Sequence, residues 1–421
     1  MRSIKNVSLK QSLDEIVFFL FLISSSFLFI NKMISFVCYL LCIFFILMEH
    51  IFIKEKSLSS FIKNSISDYM INIFIILWIF ISCLATFSYY EGVYRNFAYA
   101  ALYSFPLFTP HLYELIRQKQ QRLSLLIHSF FGSACLSIIV GLFYLIKQVY
   151  NGNDISRLDG FLDNANVSSY ALSLVLIILT VLIIHSSRVK HIILLKWTIF
   201  YFIVSLIGVY FSYSRGAYLL FIVPFIFLVF KSQNKKLKII VSFNLILIPI
   251  LLFIIQPSRI TNPGKQVSIS YQYSIFREND TRISMYKTAF HTFTKYPVFG
   301  IGGPDKFKRS IGDLKTEFNI SYARKHHAHN NLLQFLAAYG LFGGLFLIIF
   351  HVKWFLHLQK NSGVFFDISL GILIGYLIGG LFEVTIQQPP SVMIAFFVYG
   401  LTVYFDKNSE VASGFSKTRE Q

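Results

Sequence analysis

Residues 69–87 read YMINIFIILWIFISCLATF, a run without one charged side chain. At about 1.5 Å rise per residue a helix of this length approaches the roughly 30 Å hydrocarbon core of a bilayer. Lipid offers the backbone no water, so a run of this kind must satisfy its own N–H and C=O groups and is predicted to be helical. The stretches 15–30, 33–53 and 237–255 are similarly apolar, each with one charged residue. Only 14% of the 421 residues are charged and 55% are apolar, against about a quarter charged in soluble domains. A soluble fold is thereby set aside. The expected fold class is an all-α integral membrane protein of about 12 transmembrane helices, with no strand in the membrane part.

The helices are predicted at 15–31, 33–53, 69–89, 96–115, 124–149, 168–186, 193–213, 215–231, 237–256, 330–351, 363–386 and 390–405. Pro106 and Pro110 interrupt the fourth. With the N-terminus inside, the inner segments carry Lys54, Lys56, Lys63, Arg117, Lys119, Arg122, Arg188, Lys190, Lys231, Lys235, Lys236, Lys238, Lys353, Lys360, Lys407, Lys417 and Arg419. Short outer segments hold chiefly Lys32, Arg95 and Arg157. That asymmetry predicts cytoplasmic termini at both ends and an even number of crossings. The divisions are 1–256 with nine helices, a large outer loop at 257–329, three helices in 330–405 and a polar cytoplasmic tail at 406–421. Arg2, Lys5 and Lys10 precede the first apolar run with no small-residue cleavage site after it, which reads as an uncleaved anchor.

Cys38, Cys42, Cys83 and Cys135 all lie in apolar runs, form no ligand spacing and are expected to pack. The formal charge of +18 would suggest nucleic acid in a soluble chain; here the inner loops account for much of it, and no nucleic-acid partner is expected. The outer loop is different. It holds twelve Lys or Arg against five acids, and loops longer than about 60 residues escape the positive-inside rule. Attraction to anionic head groups is one explanation; an anionic substrate is the other. Within it, Thr281 to Phe293 reads as an amphipathic helix with Ile283, Tyr286, Ala289, Phe290 and Phe293 at helical spacing, near the membrane surface. Gly300, Gly302 and Gly303 read as a flexible turn after Tyr296-Pro297.

Four places carry candidate chemistry. Arg215, in Phe211-Ser-Tyr-Ser-Arg-Gly-Ala217, puts a cation at an outer helix boundary, where a functional charge competes with a snorkelling anchor. Arg282 offers a fork of donors suited to phosphate. Arg157 stands in the other outer loop, where a polar turn is the ordinary reading. His326-His-Ala-His-Asn-Asn331 precedes the tenth helix. His327 and His329, with no acid or cysteine in the sequence around them, are a weak zinc signal, so no metal is expected. A neutral imidazole at a helix mouth suits a general base, with His329 the candidate, His327 and Asn330 in support, and His326 read as structural. His185, His191, His351 and His357 read as interface residues at the inner ends of helices.

These stretches together resemble the superfamily of O-antigen ligases and O-antigen polymerases. The resemblance is carried by Tyr213-Ser-Arg-Gly-Ala217, by Arg282-Ile-Ser-Met-Tyr286 through Tyr296-Pro-Val-Phe-Gly-Ile-Gly302, by His327-Ala-His-Asn-Asn-Leu-Leu333 with Tyr339-Gly-Leu-Phe-Gly343, and by the loop Arg157 to Asn166. Ala338 departs from the pattern, since many members have a glutamate two residues before the glycine, so no acid partner for the histidine is expected there.

The resemblance implies a GT-C-like membrane glycosyltransferase without cofactor, placed in the bacterial inner membrane with its site facing the periplasm. It implies transfer, inverting and metal-independent, of a glycan from undecaprenyl diphosphate to an acceptor hydroxyl. In a ligase the acceptor is a lipid A core sugar, and in a polymerase the next repeat unit. Membrane lipids and both lipid-anchored substrates are the implied partners. Arg215, Arg282 and Arg157 would bind diphosphate and His329 would take the hydroxyl proton. A single dominant outer loop favours ligase. Polymerase and protein O-oligosaccharyltransferase are the enzyme alternatives, and a flippase or other transporter is the alternative of another class. Transporters place ionisable groups near the midplane, whereas the helix centres here hold few charges.

Overall fold

A computed structural model describes residues 2–52, 58–86, 93–117, 119–151, 158, 160–162, 164–189, 193–212, 214–232, 270–317, 327–359 and 363–407. Helices α1 (Arg2–Phe27), α2 (Lys32–Phe52), α3 (Leu58–Ala85), α4 (Val93–Tyr103), α5 (Phe105–Arg117) and α6 (Gln120–Tyr150) are followed by α7 (Ala165–Ile184), the short α8 (Ser186–Val189), α9 (Leu195–Phe211) and α10 (Arg215–Lys231). Then come α11 (Ser270–Lys295), α12 (Pro304–Glu317), α13 (Asn331–Gln359), α14 (Val364–Phe382) and α15 (Pro389–Lys407). No strand occurs among the described residues. Six of these helices, α2, α6, α7, α13, α14 and α15, are long and apolar enough to cross a bilayer. The predicted ninth helix, 237–256, lies outside the described residues, as do Arg157, His191 and His326.

Several boundaries differ from the sequence reading, among them those of α1, α3 and α13, and three further differences bear on the packing. The predicted fourth helix is two, broken at Ser104, because Pro106 lacks the N–H an uninterrupted helix would need there and fits the first turn of a new one. The predicted 363–386 helix ends at Phe382, and 385–387 form a single 3-10 turn. The loop helix is longer than 281–293, and its buried stripe is Met285, Thr288, Ala289 and Thr292, while Ile283 and Phe290 are exposed. The predicted face is therefore used in part, with Ala289 buried and Tyr286 and Phe293 half-buried, where α11 packs on α13.

Close approach of small residues sets the arrangement around α14. Gly371, Gly375 and Gly379 recur every four residues, and a Cβ on them would lie 2.6 Å from Ile177, 2.8 Å from Ile177 and 2.5 Å from Leu220 respectively. The stripe lets α7 and α10 pack near backbone contact, as small residues do between membrane helices. At α10's first turn a Cβ on Gly216 would fall on the Tyr170 hydroxyl and 3.6 Å from Phe382. The beginning of α10 is thus held against the beginning of α7 and the end of α14.

Helix α13 breaks its own backbone at Gly340, with φ 72° and ψ −165°. The break leaves the carbonyls of Ala337 and Ala338 free for another segment. They accept from Ile301 N (2.9 Å), Gly302 N (2.9 Å) and Gly303 N (3.0 Å), and Leu341 N donates to Pro297 O at 2.7 Å. The glycine turn read as flexible is instead buried and hydrogen-bonded, because its amides replace the missing rungs of α13. Asn96 closes the joint, donating to Gly302 O and accepting from the Tyr339 hydroxyl. Trp78 Nε1 adds a bond to Tyr339 O. The hydrogen-bonded pairs His185–Asp367 and His357–Asp406 sit at the other end of these helices. His351, read as an interface residue, lies within α13 and its Nδ1 bonds Leu347 O at 2.7 Å.

Gly340 occupies a backbone region essentially closed to other residues, and a Cβ there would lie 2.1 Å from Val298 O. Gly340→Ala is expected to destabilise by at least about 2 kcal/mol, lowering the thermal midpoint of the detergent-solubilised protein. Gly132→Ala, in open space on α6, is expected to be neutral or stabilising by up to about 1 kcal/mol. Equal midpoints for the two variants would refute this account of the joint.

Candidate active site

Two adjacent asparagines join the start of α13 to the end of α14. Asn330 Oδ1 accepts from Leu333 N at 3.0 Å and so caps α13, while its Nδ2 donates to Leu381 O at 3.4 Å. Asn331 Nδ2 donates to Thr385 Oγ1 (2.9 Å) and its Oδ1 accepts from Ile386 N (3.2 Å). From the loop helix, the Tyr286 hydroxyl reaches Leu381 O at 3.2 Å. Gln334 Oε1 accepts from Ala328 N at 2.8 Å and fixes the histidine segment from below. These bonds set Glu383, the residue just past α14, directly against His327 and His329.

His327 Nε2 lies 3.0 Å and His329 Nδ1 3.5 Å from the same oxygen, Glu383 Oε1. The ring centroids are 4.3 Å apart. His327 Nδ1 accepts from His329 N at 3.3 Å, which assigns the proton of a neutral His327 to Nε2 and makes it the donor to Glu383. His329 has φ 51°, the single positive value among described residues other than glycine. Such a conformation costs about 1–2 kcal/mol and is tolerated where surrounding contacts hold it, often at functional sites. The Glu383 side chain is 2% exposed, against 38% for His327 and 20% for His329. Burial alone would raise its pKa; the facing imidazoles outweigh that and hold the carboxyl well below the usual carboxylate range. Its second oxygen, Oε2, accepts from Asn166 Nδ2 at 3.3 Å.

The segment ahead of α7, whose second residue is Asn166, is tied to the end of α9 through Leu158 N donating to Phe211 O at 3.0 Å. Asn164 Oδ1 caps α7, accepting from Asn166 N and Val167 N. Arg215 is the first residue of α10, exposed and next to the Gly216 that meets Tyr170 and Phe382. Arg282 is half-buried on α11, one turn before Tyr286. The Tyr286 hydroxyl is raised above its ordinary pKa chiefly by burial, which the Arg282 cation opposes and the Glu383 carboxylate reinforces. Both arginines therefore belong to the end of the bundle that holds the histidines, each within a residue or a turn of a group touching the α14 terminus.

Of the sequence candidates, His327, His329, Arg215 and Arg282 gather around this end, and Asn330 is engaged as a helix cap. The residue that sequence reading missed is Glu383. It supplies the convergent acid that the histidine pair lacks locally and that Ala338 does not provide. Its signal was present: an ionisable residue inside a predicted span is a functional candidate by default. The nitrogens of His327 and His329 and a Glu383 oxygen all lie within 4.8 Å of one another, a donor set that fits a metal ion; Asp14, Glu49 and His111 form a second such group.

Glu383 is more acidic in the folded protein than its ordinary 4.5, so its contribution to stability is full above that value and is lost as pH falls through the folded value. Glu383→Gln is expected to lower the thermal midpoint at pH 7, and the gap to the parent protein is expected to shrink below about pH 4.5. A gap of constant size down to pH 3 would show that the carboxylate charge is not what the histidines stabilise.

A search of curated proteins finds no match to the chain. The family model described as O-antigen ligase matches residues 200–348, the stretch that carries Arg215, Arg282, the glycine turn, His327 and His329, while Asn166 and Glu383 lie outside it. Over that stretch, about a third of the chain, the protein is similar to the O-antigen ligase family, and six of its described helices are long and apolar enough to cross a bilayer.

Proposed function

We propose that the protein is an O-antigen ligase, transferring O-polysaccharide from undecaprenyl diphosphate to a sugar hydroxyl of the lipid A core, at the periplasmic face of the bacterial inner membrane. The observation that carries this reading is the pair of imidazoles on one buried carboxylate, at the same end of the bundle as two arginines. Glu383 orients His329 through Nδ1, and Nε2 on the opposite edge of the ring takes the proton of the acceptor hydroxyl. The resulting oxygen attacks the anomeric carbon from the face opposite the diphosphate. The bond between that carbon and the diphosphate oxygen breaks, undecaprenyl diphosphate leaves with the electron pair, and the configuration inverts. A carboxylate that holds the imidazole also stabilises the imidazolium as it forms.

Charge develops on the diphosphate as it leaves. Arginines already in place stabilise it without the reorganisation that water would need. Arg215 at the first position of α10 is unfavourable beside the positive end of a helix dipole and becomes favourable when an anion binds there. Arg282 on the loop helix is the second clamp, and Arg157 a third. His327, bonded to both His329 N and Glu383, fixes the base. The 3.0 Å separation of His327 Nε2 and Glu383 Oε1 allows a direct hydrogen bond between them. Both termini are cytoplasmic in this reading, and the apolar face of α11 rests on the membrane.

His329→Ala is expected to lower transfer by about 10²–10⁴-fold, and Arg215→Ala or Arg282→Ala by about 10²–10³-fold, with normal membrane insertion. Gels of lipopolysaccharide from a null strain carrying each variant check this. Ladder-patterned lipopolysaccharide from the His329→Ala strain would remove the base assignment. The null strain itself is expected to accumulate lipid-linked polymer and bare core; core capped by single repeats would make the protein a polymerase, and loss of glycoproteins a protein glycosyltransferase. Transfer by the purified protein is expected to survive chelator, and loss that zinc restores would reassign His327, His329 and Glu383 to a metal.

A further inference from the structure

A cavity of about 210 Å³ opens beside His327 and Glu383, between the start of α7, the start of α12 and the turn after α14. Five carboxamides line it: Asn164, Asn166, Gln334, Gln387 and Gln388. The asparagines are engaged, Asn164 with the α7 cap and Asn166 with Glu383. The glutamines are another matter. Gln334 Nε2, Gln387 Nε2 and Gln388 Oε1 are buried, and none has a hydrogen-bond partner among the described residues. Gln334 is fully buried and Gln388 8% exposed. A buried amide group without a partner is unfavourable, so three of them around one cavity point to a ligand with both donors and acceptors.

We propose that this cavity is a subsite for a single neutral sugar residue, whose hydroxyls pair with Gln334, Gln387 and Gln388. The inference rests on the reading of the chain as a glycan transferase and names the group held next to its base. A hydroxyl donates to Gln388 Oε1 and accepts from the two Nε2 groups, which an anion cannot do. The charged lining is mixed, with Glu383 and Asp305 beside Lys308, so the selection rests on the glutamines. Tyr99 offers an aromatic ring for the apolar face of a pyranose. At about 30 Å³ per water the space holds about seven waters, the scale of one pyranose ring and short of the 300 Å³ or more typical of drug-sized ligands. The sugar is either the acceptor of the core or the first residue of the donor glycan.

The test uses Gln387→Met and Gln388→Met, alone and combined. Gln334 is left intact because its Oε1 holds the histidine segment through Ala328 N. Purified full-length protein is assayed with lipid-linked glycan and with bare-core lipopolysaccharide, both from the null strain, each varied in turn. The combined variant is expected to raise the KM of one substrate about tenfold or more, with kcat within about threefold; the substrate that responds identifies the source of the sugar. Saturation-transfer NMR with the oligosaccharide released from each substrate is expected to show one sugar residue contacting the parent protein and losing contact in the combined variant. Unchanged KM values and unchanged saturation transfer would overturn the subsite. If the parent protein transfers nothing while the glutamine-dependent contact is still seen, the transferase reading fails and the sugar site stands.

Discussion

A carboxylate buried at the end of a membrane helix must be met by donors or neutralised, because an isolated charge away from water costs many kcal/mol. Glu383 imposes that requirement here. His327 and His329 answer on one oxygen and Asn166 on the other, so three segments far apart in the chain converge on one side chain. The convergence brings the loop before α13, the start of α7 and the terminus of α14 to one end of the bundle. Placing Arg215 and Arg282 around the same point then needs only that α10 and α11 pack against α14 and α13, which they do.

The supporting structure is built from backbone bonds and small residues more than from apolar bulk. Lipid tails are as apolar as leucine, so burial of hydrocarbon alone does little to choose one helix arrangement over another within a bilayer. The glycine stripe of α14 chooses by allowing an approach that larger residues forbid. The break at Gly340 chooses by exposing carbonyls that the 300–303 turn alone is shaped to meet. Asn330 and Asn331 choose by spending their side chains on the end of α14. Each device is local, and together they hold the positive-φ histidine in a conformation it would not adopt unaided.

Much of the site was legible in the chain. Arg215 and the histidines stand near the edges of apolar runs and Arg282 at the start of the predicted loop helix, and the charge asymmetry predicted a common side for them. Glu383 was hidden because the helix prediction ran through it: Val384 and Ile386 carry apolar side chains past the last turn of α14, so hydropathy does not register where the helix stops. The glycine turn was misread for a related reason. A cluster of glycines signals freedom of the backbone, and whether that freedom is used for mobility or for tight packing depends on a partner, here α13, that lies elsewhere in the sequence.

The sequence by itself determined that the chain is helical and lives in a membrane, since long uncharged runs have no other stable form in lipid. It also determined which cations and imidazoles stand at helix boundaries, because hydropathy is a local property. Only the tertiary structure decided which acid meets the histidines, which face of α11 packs, and that glutamines surround a cavity next to His327 and Glu383. Those are contacts between distant segments, and the geometry of helix crossing that creates them is set by close approach and hydrogen bonding that no single segment contains.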